Sequence, residues 1–329
     1  PMFRWGILST AKIAREQVVP AIQQSETGIV AAVASRDAGR ADAFARRFNI
    51  AHAFETYEAL LESDAVDGVY IPTVTSTHVE WAIKAAKAGK HVLVEKPLAL
   101  KADDIAPVIE ARDSAGVLVS EAFMVTYHPQ WLKVRDLVRG GAIGRLRIVQ
   151  GAFSYFNRDG DNMRNRPELG GGALPDIGVY PTVATRFVTG LEPQSVAATI
   201  DRDDEFGTDV FANVTLRFDG FELGFYVGTQ LAQRQVMVFH GDKGFVEVRT
   251  PFNAGVYDAD RVTVHSADHG HAETFAFPGV QQYQYQVDAF VRRARGEDVP
   301  VFTLEQSVAN QRAIDAIYRA AETGKTEPV

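Results

Sequence analysis

The chain of 329 residues contains no cysteine. That excludes disulfides, thiolate metal sites and a cysteine nucleophile, and it leaves no demand for oxidative folding. Positive charge is not in excess: 34 Lys and Arg stand against 42 Asp and Glu, a formal charge of -8, so no global basic field recruits nucleic acid or an anionic membrane surface. No stretch has the length of apolar sequence that a membrane span needs. The opening residues, Pro1-Met2-Phe3-Arg4-Trp5-Gly6, show no basic leader with an apolar segment and cleavage site. A Gly-x-Ser-x-Gly elbow and a Gly-x-x-x-x-Gly-Lys-Ser/Thr loop are both missing, which argues against esterase and NTPase chemistry. The eight histidines form no metal set; His269 and His271 sit in a turn with no third ligand, where solvation is expected. These absences lead to the expectation of a cytoplasmic protein with no metal, nucleic-acid or membrane partner and a small, mostly neutral ligand.

Hydrophobic content of 46% and charged content of 23% are those of a globular protein, and the length suits two domains. Through residue 122, short apolar runs (3–8, 29–35, 66–71, 91–95, 117–122) alternate with helical stretches (13–24, 38–48, 57–61, 78–88, 103–114). Such alternation implies right-handed crossovers and a doubly wound parallel sheet, an α/β Rossmann domain. Thr77 and Glu80 read as a capping box for the helix at 78. After residue 122 the texture changes: a helix over 123–139 is interrupted near Pro129, and a strand at 145–156 precedes a polar loop at 157–169. Gly170, Gly171 and Gly172 then feed a helix ending near 189. Strands follow from 195 to 280, with turns at Asp219-Gly220, Asp242-Lys243-Gly244 and Asp268-His269-Gly270, the pattern of a mainly antiparallel sheet in an α+β domain. Helices at 283–295 and 304–323 close the chain, the second with a Thr303/Gln306 capping box and Gly324 as C-cap. The expected division is 1–122 for nucleotide binding and 123–329 for substrate binding and oligomerisation. Val214, Leu216, Phe225 and Val227 read as an apolar face needing cover, which predicts a homodimer through that sheet.

The chemistry-bearing residues cluster where strands end. After the first strand comes Ser9-Thr10-Ala11-Lys12-Ile13-Ala14, small residues opening a helix, as a dinucleotide pyrophosphate requires. After the second, Ser35-Arg36-Asp37 offers a hydroxyl and a guanidinium where an NAD enzyme usually carries an acid; arginine suits a 2′-phosphate, so NADP is the expected cofactor. The other reading of Asp37 is ribose ligand or helix N-cap. After the third comes Pro72-Thr73-Val74-Thr75-Ser76-Thr77-His78, rich in hydroxyls suited to the nicotinamide ribose or phosphates. His78 reads equally as ligand or structural residue. His91-Val92-Leu93-Val94-Glu95-Lys96-Pro97 is a buried strand that stops at an acid, a base and a proline, holding Lys96 just past a carboxyl edge, where α/β sheets bind ligands. In the second half, Asp176 and Tyr180 lie four apart on one helical face beside the glycine run, a carboxylate and a phenol able to grip a polyol and move a proton.

Together, the small-residue turn, the strand ending in Glu95-Lys96-Pro97 and the Gly-Gly-Gly-Ala-Leu-x-Asp-x-Gly-x-Tyr segment from Gly170 to Tyr180 resemble the glucose-fructose oxidoreductase, inositol dehydrogenase and rhizopine-catabolism (Gfo/Idh/MocA) family. The resemblance spans nearly the whole chain. It implies a Rossmann domain, a second domain on a large open sheet, and a last helix packing back on the first domain. It also implies an active-site lysine at Lys96, a helix aspartate at Asp176, and a tyrosine at Tyr180 where inositol dehydrogenase-like members carry histidine. The tyrosine, with Ser35-Arg36, points to the sugar-oxidising, NADP-using branch of glucose-fructose oxidoreductase, aldose-aldose oxidoreductase and NADP-linked xylose dehydrogenase. Ser9 and Ala11 depart from the usual glycines. The implied reaction oxidises C1 of an aldose to a lactone and, run backwards on a second carbonyl sugar, makes a polyol. Tyr180 is the expected base, Lys96 its electrostatic partner and Asp176 the residue that holds the sugar. Tyr155, Arg158, Asp159, Asn162, Arg164 and Asp209 are further candidates for sugar hydroxyls, Phe123 and Tyr127 for a wall, and Glu95 and Arg164 for the cofactor. Two other readings stay open: a trans-dihydrodiol dehydrogenase or 1,5-anhydrofructose-type ketone reductase on the same scaffold, and a non-catalytic NADP-binding sensor, against which the intact Lys96, Asp176 and Tyr180 speak.

Overall fold

A computed structural model describes residues 1–256 and 259–329; residues 257 and 258, within the expected strand run, lie outside the described residues. The chain divides into two compact units, one of residues 1–124 and 281–308, the other of 125–280 and 309–329.

The first unit carries a six-stranded sheet: β1 (Phe3–Leu8), β2 (Gly28–Ala34), β3 (His52–Phe54), β4 (Gly68–Ile71), β5 (His91–Val94) and β6 (Val119–Glu121). Their order is β3-β2-β1-β4-β5-β6 and every pairing is parallel. This is the Rossmann arrangement, with its topological switch point between β1 and β4. β4 and β5 are covered on both faces, so their sequences read as unbroken apolar runs. The crossovers are α1 (residues 12–24, its Ala14–Val18 turn π-wound), α2 (Ala38–Phe48), α3 (Tyr57–Glu62), α4 (His78–Lys87) and α5 (Ala106–Ala115).

The second unit holds α6 (Pro129–Arg139), α7 (Val179–Thr189) and a nine-stranded sheet: β7 (Leu146–Phe156), β8 (Ser195–Arg202), β9 (Asp209–Phe218), β10 (Phe221–Gly228), β11 (Gln230–Gly241), β12 (Gly244–Val248), β13 (Arg261–Ser266), β14 (Ala272–Ala276) and β15 (Glu327–Pro328). The sheet is mainly antiparallel, but β10 and β7 run parallel near its centre. Helices α8 (Gln282–Ala294) and α9 (Leu304–Thr323) complete the chain.

Three expectations differ from the fold. First, α8 belongs with the first unit, although the division at 122 put it in the second: Val287, Phe290 and Val291 follow helical spacing into the core of β1, with Phe290 5.2 Å from the Trp5 ring. The first turn of α9 lies in the same unit, where Leu304 is buried, while residues from 309 onward belong to the second. Secondly, the Thr77/Glu80 capping box does not form. A 3-10 turn at Thr75–Thr77 precedes α4, so the Thr77 hydroxyl bonds backwards to the Val74 carbonyl and Thr73 Oγ1, and Glu80 pairs with Lys84. The Thr303/Gln306 box does form, with reciprocal bonds of 2.9 and 3.2 Å. Thirdly, Val214, Leu216, Phe225 and Val227 are buried within the unit. A side chain at Gly151 would meet Phe225, Met237 and Pro181 at once, so this face of the sheet lies under α7, and the alternate residues Asn213, Thr215 and Arg217 face outward.

Candidate active site

In the first unit the candidates hang from strand ends. Ser9 follows β1 at φ 120°, a region that favours glycine; its N–H bonds the Ala34 carbonyl and its Oγ accepts the Ala11 N–H at 3.0 Å. The turn is thus held open ahead of α1, with Thr10, Lys12 and Ile13 not fully buried. Ser35 is buried and its Oγ accepts the Asp37 N–H. Asp37 is the N-cap of α2, accepting the Arg40 N–H, so its carboxylate is committed to the helix. Arg36 is exposed, with its guanidinium 5.6 Å from the Tyr57 ring centre. An acid used for capping beside an accessible arginine fits a phosphorylated ribose. These residues fit a dinucleotide: a free helix N-terminus with small residues, then a cation where a 2′-phosphate would lie.

After β4, Pro72, Thr73 and Thr75 are buried. His78, 1% exposed, places Nδ1 2.7 Å from the Pro97 carbonyl and Nε2 2.8 Å from that of Thr73. Burial pushes its pKa down, as does Lys96, while the two carbonyls pull it up. A neutral imidazole has one N–H to give, so one of these two carbonyls accepts from His78, and the buried ring is wedged between the loop after β4 and the turn after β5, which fits the structural one of its two readings. The Lys96-Pro97 bond is cis. Glu95 accepts the Tyr70 hydroxyl at 2.7 Å and the Lys96 N–H at 3.0 Å, so its carboxylate holds the turn that carries the lysine. Phe123 packs 4.8 Å from Phe302 and is core, not wall; Tyr127 is half-buried.

In the second unit, side chains assemble one another. Asp176 lies in a π-wound turn, Leu174–Gly178, that runs into α7. Its Oδ2 accepts the Tyr155 hydroxyl at 2.5 Å and Arg164 Nε at 3.1 Å. The Tyr155 pKa is raised, first by burial and then by the Asp176 charge, so this phenol keeps its proton and acts as a donor. The Arg164 pKa is raised by Asp176 foremost, with Tyr155 and Tyr180 adding to it. Tyr180, 5% exposed, packs against the rings of Phe153 (5.6 Å) and Phe252 (5.4 Å), which stack on each other at 5.0 Å. The arrangement is a carboxylate, a guanidinium and two phenols, one beside the anion and one under the influence of the cation.

The remaining loop candidates separate. Asn162 accepts the Arg164 N–H and so fixes the arginine's backbone. Arg158 pairs with Asp203 and Glu205 and lies over Phe206, and Asp159 closes a turn on the Asp161 N–H; both organise the loop. Asp209 is buried, accepting the Leu174 N–H and the Tyr318 hydroxyl, which makes it the anchor of the segment leading to α7 and not a sugar ligand. The glycine run also has an internal reason: a Cβ at Gly171 would meet the carbonyls of Arg164 and Met163, and one at Gly172 the Asp209 carboxylate. Glu121 was not among the expected residues. It is 4% exposed at the end of β6, and an acid inside the apolar run Val117-Leu118-Val119-Ser120-Glu121-Ala122 was the signal that could have found it.

Residues 3–123 match the model of an oxidoreductase family with an NAD-binding Rossmann fold, and residues 131–247 match the GFO/IDH/MocA C-terminal domain. The chain belongs to the GFO/IDH/MocA oxidoreductase family. Within it, the chain is 37% identical to a D-xylose 1-dehydrogenase (NADP(+)) of Haloferax volcanii, over 97% of this chain and 98% of the relative. Among solved structures, a 3-ketoreductase from Actinomadura kijaniata, in complex with NADP and TDP-benzene, superposes with a TM-score of 0.91 at 30% identity, covering 97% of this chain and 98% of the other. An aldose-aldose oxidoreductase from Caulobacter crescentus, complexed with glycerol, superposes with the same TM-score at 26% identity, each chain covered completely. Among the described residues no helix is long and apolar enough to cross a membrane, and no group of three or more acidic or histidine side chains could hold a metal ion.

Proposed function

We propose that the protein is an NADP-dependent oxidoreductase acting on a CH–OH group of a sugar, with C1 of an aldose as the reacting carbon. The observation that carries this is the constellation of Asp176, Arg164, Tyr155 and Tyr180, supported by the kinship to an NADP-linked xylose dehydrogenase. NADP, when bound, supplies the hydride acceptor, held by Ser9, Thr10, Ala11 and Lys12 at the pyrophosphate and by Ser35 and Arg36 at the ribose phosphate. Tyr180 takes the proton of the reacting hydroxyl. A phenol can do so only if its negative charge is stabilised, which Arg164 does within the second unit. Lys96 is the working positive charge of the first unit. Tyr155, kept protonated, donates a hydrogen bond to a sugar oxygen or to Asp176. Asp176 orients Arg164 and Tyr155 and acts on the sugar through them. Phe153 and Phe252 exclude water from one side of the Tyr180 ring.

Lys96→Ala and Tyr180→Phe should each lower kcat on the best aldose by about 10²- to 10⁴-fold, the usual worth of acid–base catalysis, with NADPH binding by fluorescence titration nearly unchanged. Either variant retaining near wild-type turnover removes its residue from this role. The same titration should show NADPH bound more tightly than NADH, with Arg36→Ala erasing most of the difference; the reverse preference overturns the cofactor assignment. A relative 32% identical over 97% of this chain is a dTDP-3,4-didehydro-2,6-dideoxy-alpha-D-glucose 3-reductase. Turnover of a nucleotide-linked ketosugar in preference to every free aldose would move the reacting carbon from C1 to a ring ketone.

A further inference from the structure

The Lys96 turn rests on a second carboxyl group. Glu121 closes β6, in register with Val94 of β5, two residues before the lysine. Its Oε2 accepts the N–H of Leu98 at 2.6 Å, and its carboxyl also bonds the side chain of Ser307, a buried residue of α9. Leu98 is the residue after Pro97, whose carbonyl lies 2.7 Å from His78 Nδ1. The segment that aims the lysine is therefore met at consecutive residues by an imidazole and a carboxyl group. We propose that Glu121 is a positioning residue for Lys96: its carboxylate anchors the turn that bears the lysine, and its charge is part of the field that the ammonium group experiences.

The inference rests on the reading of Lys96 as a working charge. A buried carboxyl group facing a lysine, with two donors fixed on it, changes the lysine's surroundings each time it gains or loses a proton. Burial foremost raises the Glu121 pKa and Glu95 adds to the rise, Ser307, the Leu98 N–H and Lys96 oppose it, and the balance lies at about 7. Glu95 is bonded to Tyr70 and to the Lys96 N–H, Tyr283 from α8 faces Glu95 and is itself pushed up by burial, and His78 is pushed down. Glu121 is thus the group in this neighbourhood whose titration is placed near neutrality. Below that pH it carries a proton and presents no negative charge to Lys96; above it the anion anchors the turn.

The test reads Lys96 without any substrate. In full-length protein carrying ¹³C-dimethylated lysines, with the Lys96 signal assigned by its loss in Lys96→Arg, the chemical shift should show a step near pH 7 that vanishes in Glu121→Gln. The glutamine keeps an oxygen for the Leu98 N–H but has no charge to gain or lose. In parallel, kcat of the wild type should fall as pH drops through the same region, and Glu121→Gln should flatten that limb while lowering kcat at pH 8 about tenfold, with KM for NADP unchanged. Ser307→Ala, which removes one donor from the carboxylate, should move the step to higher pH; it also serves if the glutamine variant does not fold. A step that persists unchanged in Glu121→Gln, or its absence from the wild type, overturns the proposal. Full turnover by Lys96→Ala would instead overturn the catalytic role of the lysine, leaving the shift measurement to report on Glu121 alone.

Discussion

The candidate residues of the two units are placed by different means. In the first, Ser9, Arg36, Thr73 and Lys96 each follow a parallel strand, and the main chain delivers them one by one to the carboxyl edge of the sheet. In the second, Tyr155 comes from a strand, Arg164 from a loop and Asp176 from a helical turn, and they are fixed by bonds to one another. Sites delivered by backbone should weaken residue by residue. A site held by mutual side-chain contacts should fail as a unit, since removing one partner leaves the others desolvated and unpaired.

Among the substitutions that test this comparison, the largest effect is therefore expected at Asp176. Asp176→Ala takes the anion from Arg164 and the acceptor from Tyr155, and should lower kcat about 10³-fold, as loss of a positioned charge in a catalytic network does. Tyr155→Phe in that background should cost little more, because the bond it removes is already broken. Ser9 and Arg36 variants, by contrast, should combine additively in NADPH affinity. Additive losses for the Asp176 and Tyr155 pair would abolish the distinction between the two units.

Smaller, and in the first unit, is a pH dependence of stability. Glu121 titrates at about 7 in the fold against 4.5 in an ordinary environment. The folded state holds this proton over a range where the unfolded chain has released it, so the contribution is fully present below pH 4.5 and is lost as pH rises through 7. The shift corresponds to about 3 kcal/mol. Between pH 5 and 8, the wild type should lose urea resistance relative to Glu121→Gln, and parallel trends in the two proteins would place the proton elsewhere. Greater stability at low pH and a better-anchored lysine at high pH then oppose each other in one residue, an activity–stability trade-off at a functional site.

What could be read from the sequence follows the same division. The strand-end residues were legible because an apolar run that stops at Ser9, Ser35 or Lys96 marks both a strand and its edge. β3 was not, since His52 and Ala53 are exposed and leave no apolar run. Asp176 and Tyr180 were legible by their spacing on one helix. The ion pair of Arg164 with Asp176, and the engagement of Arg158 with Asp203 and Glu205, depend on how the loop folds back, which no local pattern encodes. Alternation in β9 and β10 showed that one face is apolar, but period two does not say which face the helices take, so residues packed under α7 were read as a surface needing a partner. Glu121 and His78 show the remaining gap: polar residues whose partners are main-chain groups of other turns.

The smallest predicted effect tests the backbone side of the comparison at Ser9. At most positions alanine is more stable than glycine by about 0.5–1 kcal/mol, because glycine has more freedom to lose on folding. At φ 120° the order should reverse. Ser9→Ala keeps the strained conformation and deletes the bond to the Ala11 N–H, whereas Ser9→Gly deletes the same bond and relieves the strain. Glycine should accordingly exceed alanine by about 1 kcal/mol in urea denaturation. The glycine variant should also stay close to wild type, since the lost bond and the relieved strain are each about 1 kcal/mol and opposite in sign. If alanine proves the more stable, Ser9 does not stand at a glycine-like turn, and the first unit's simplest example of a residue placed by main-chain geometry is lost.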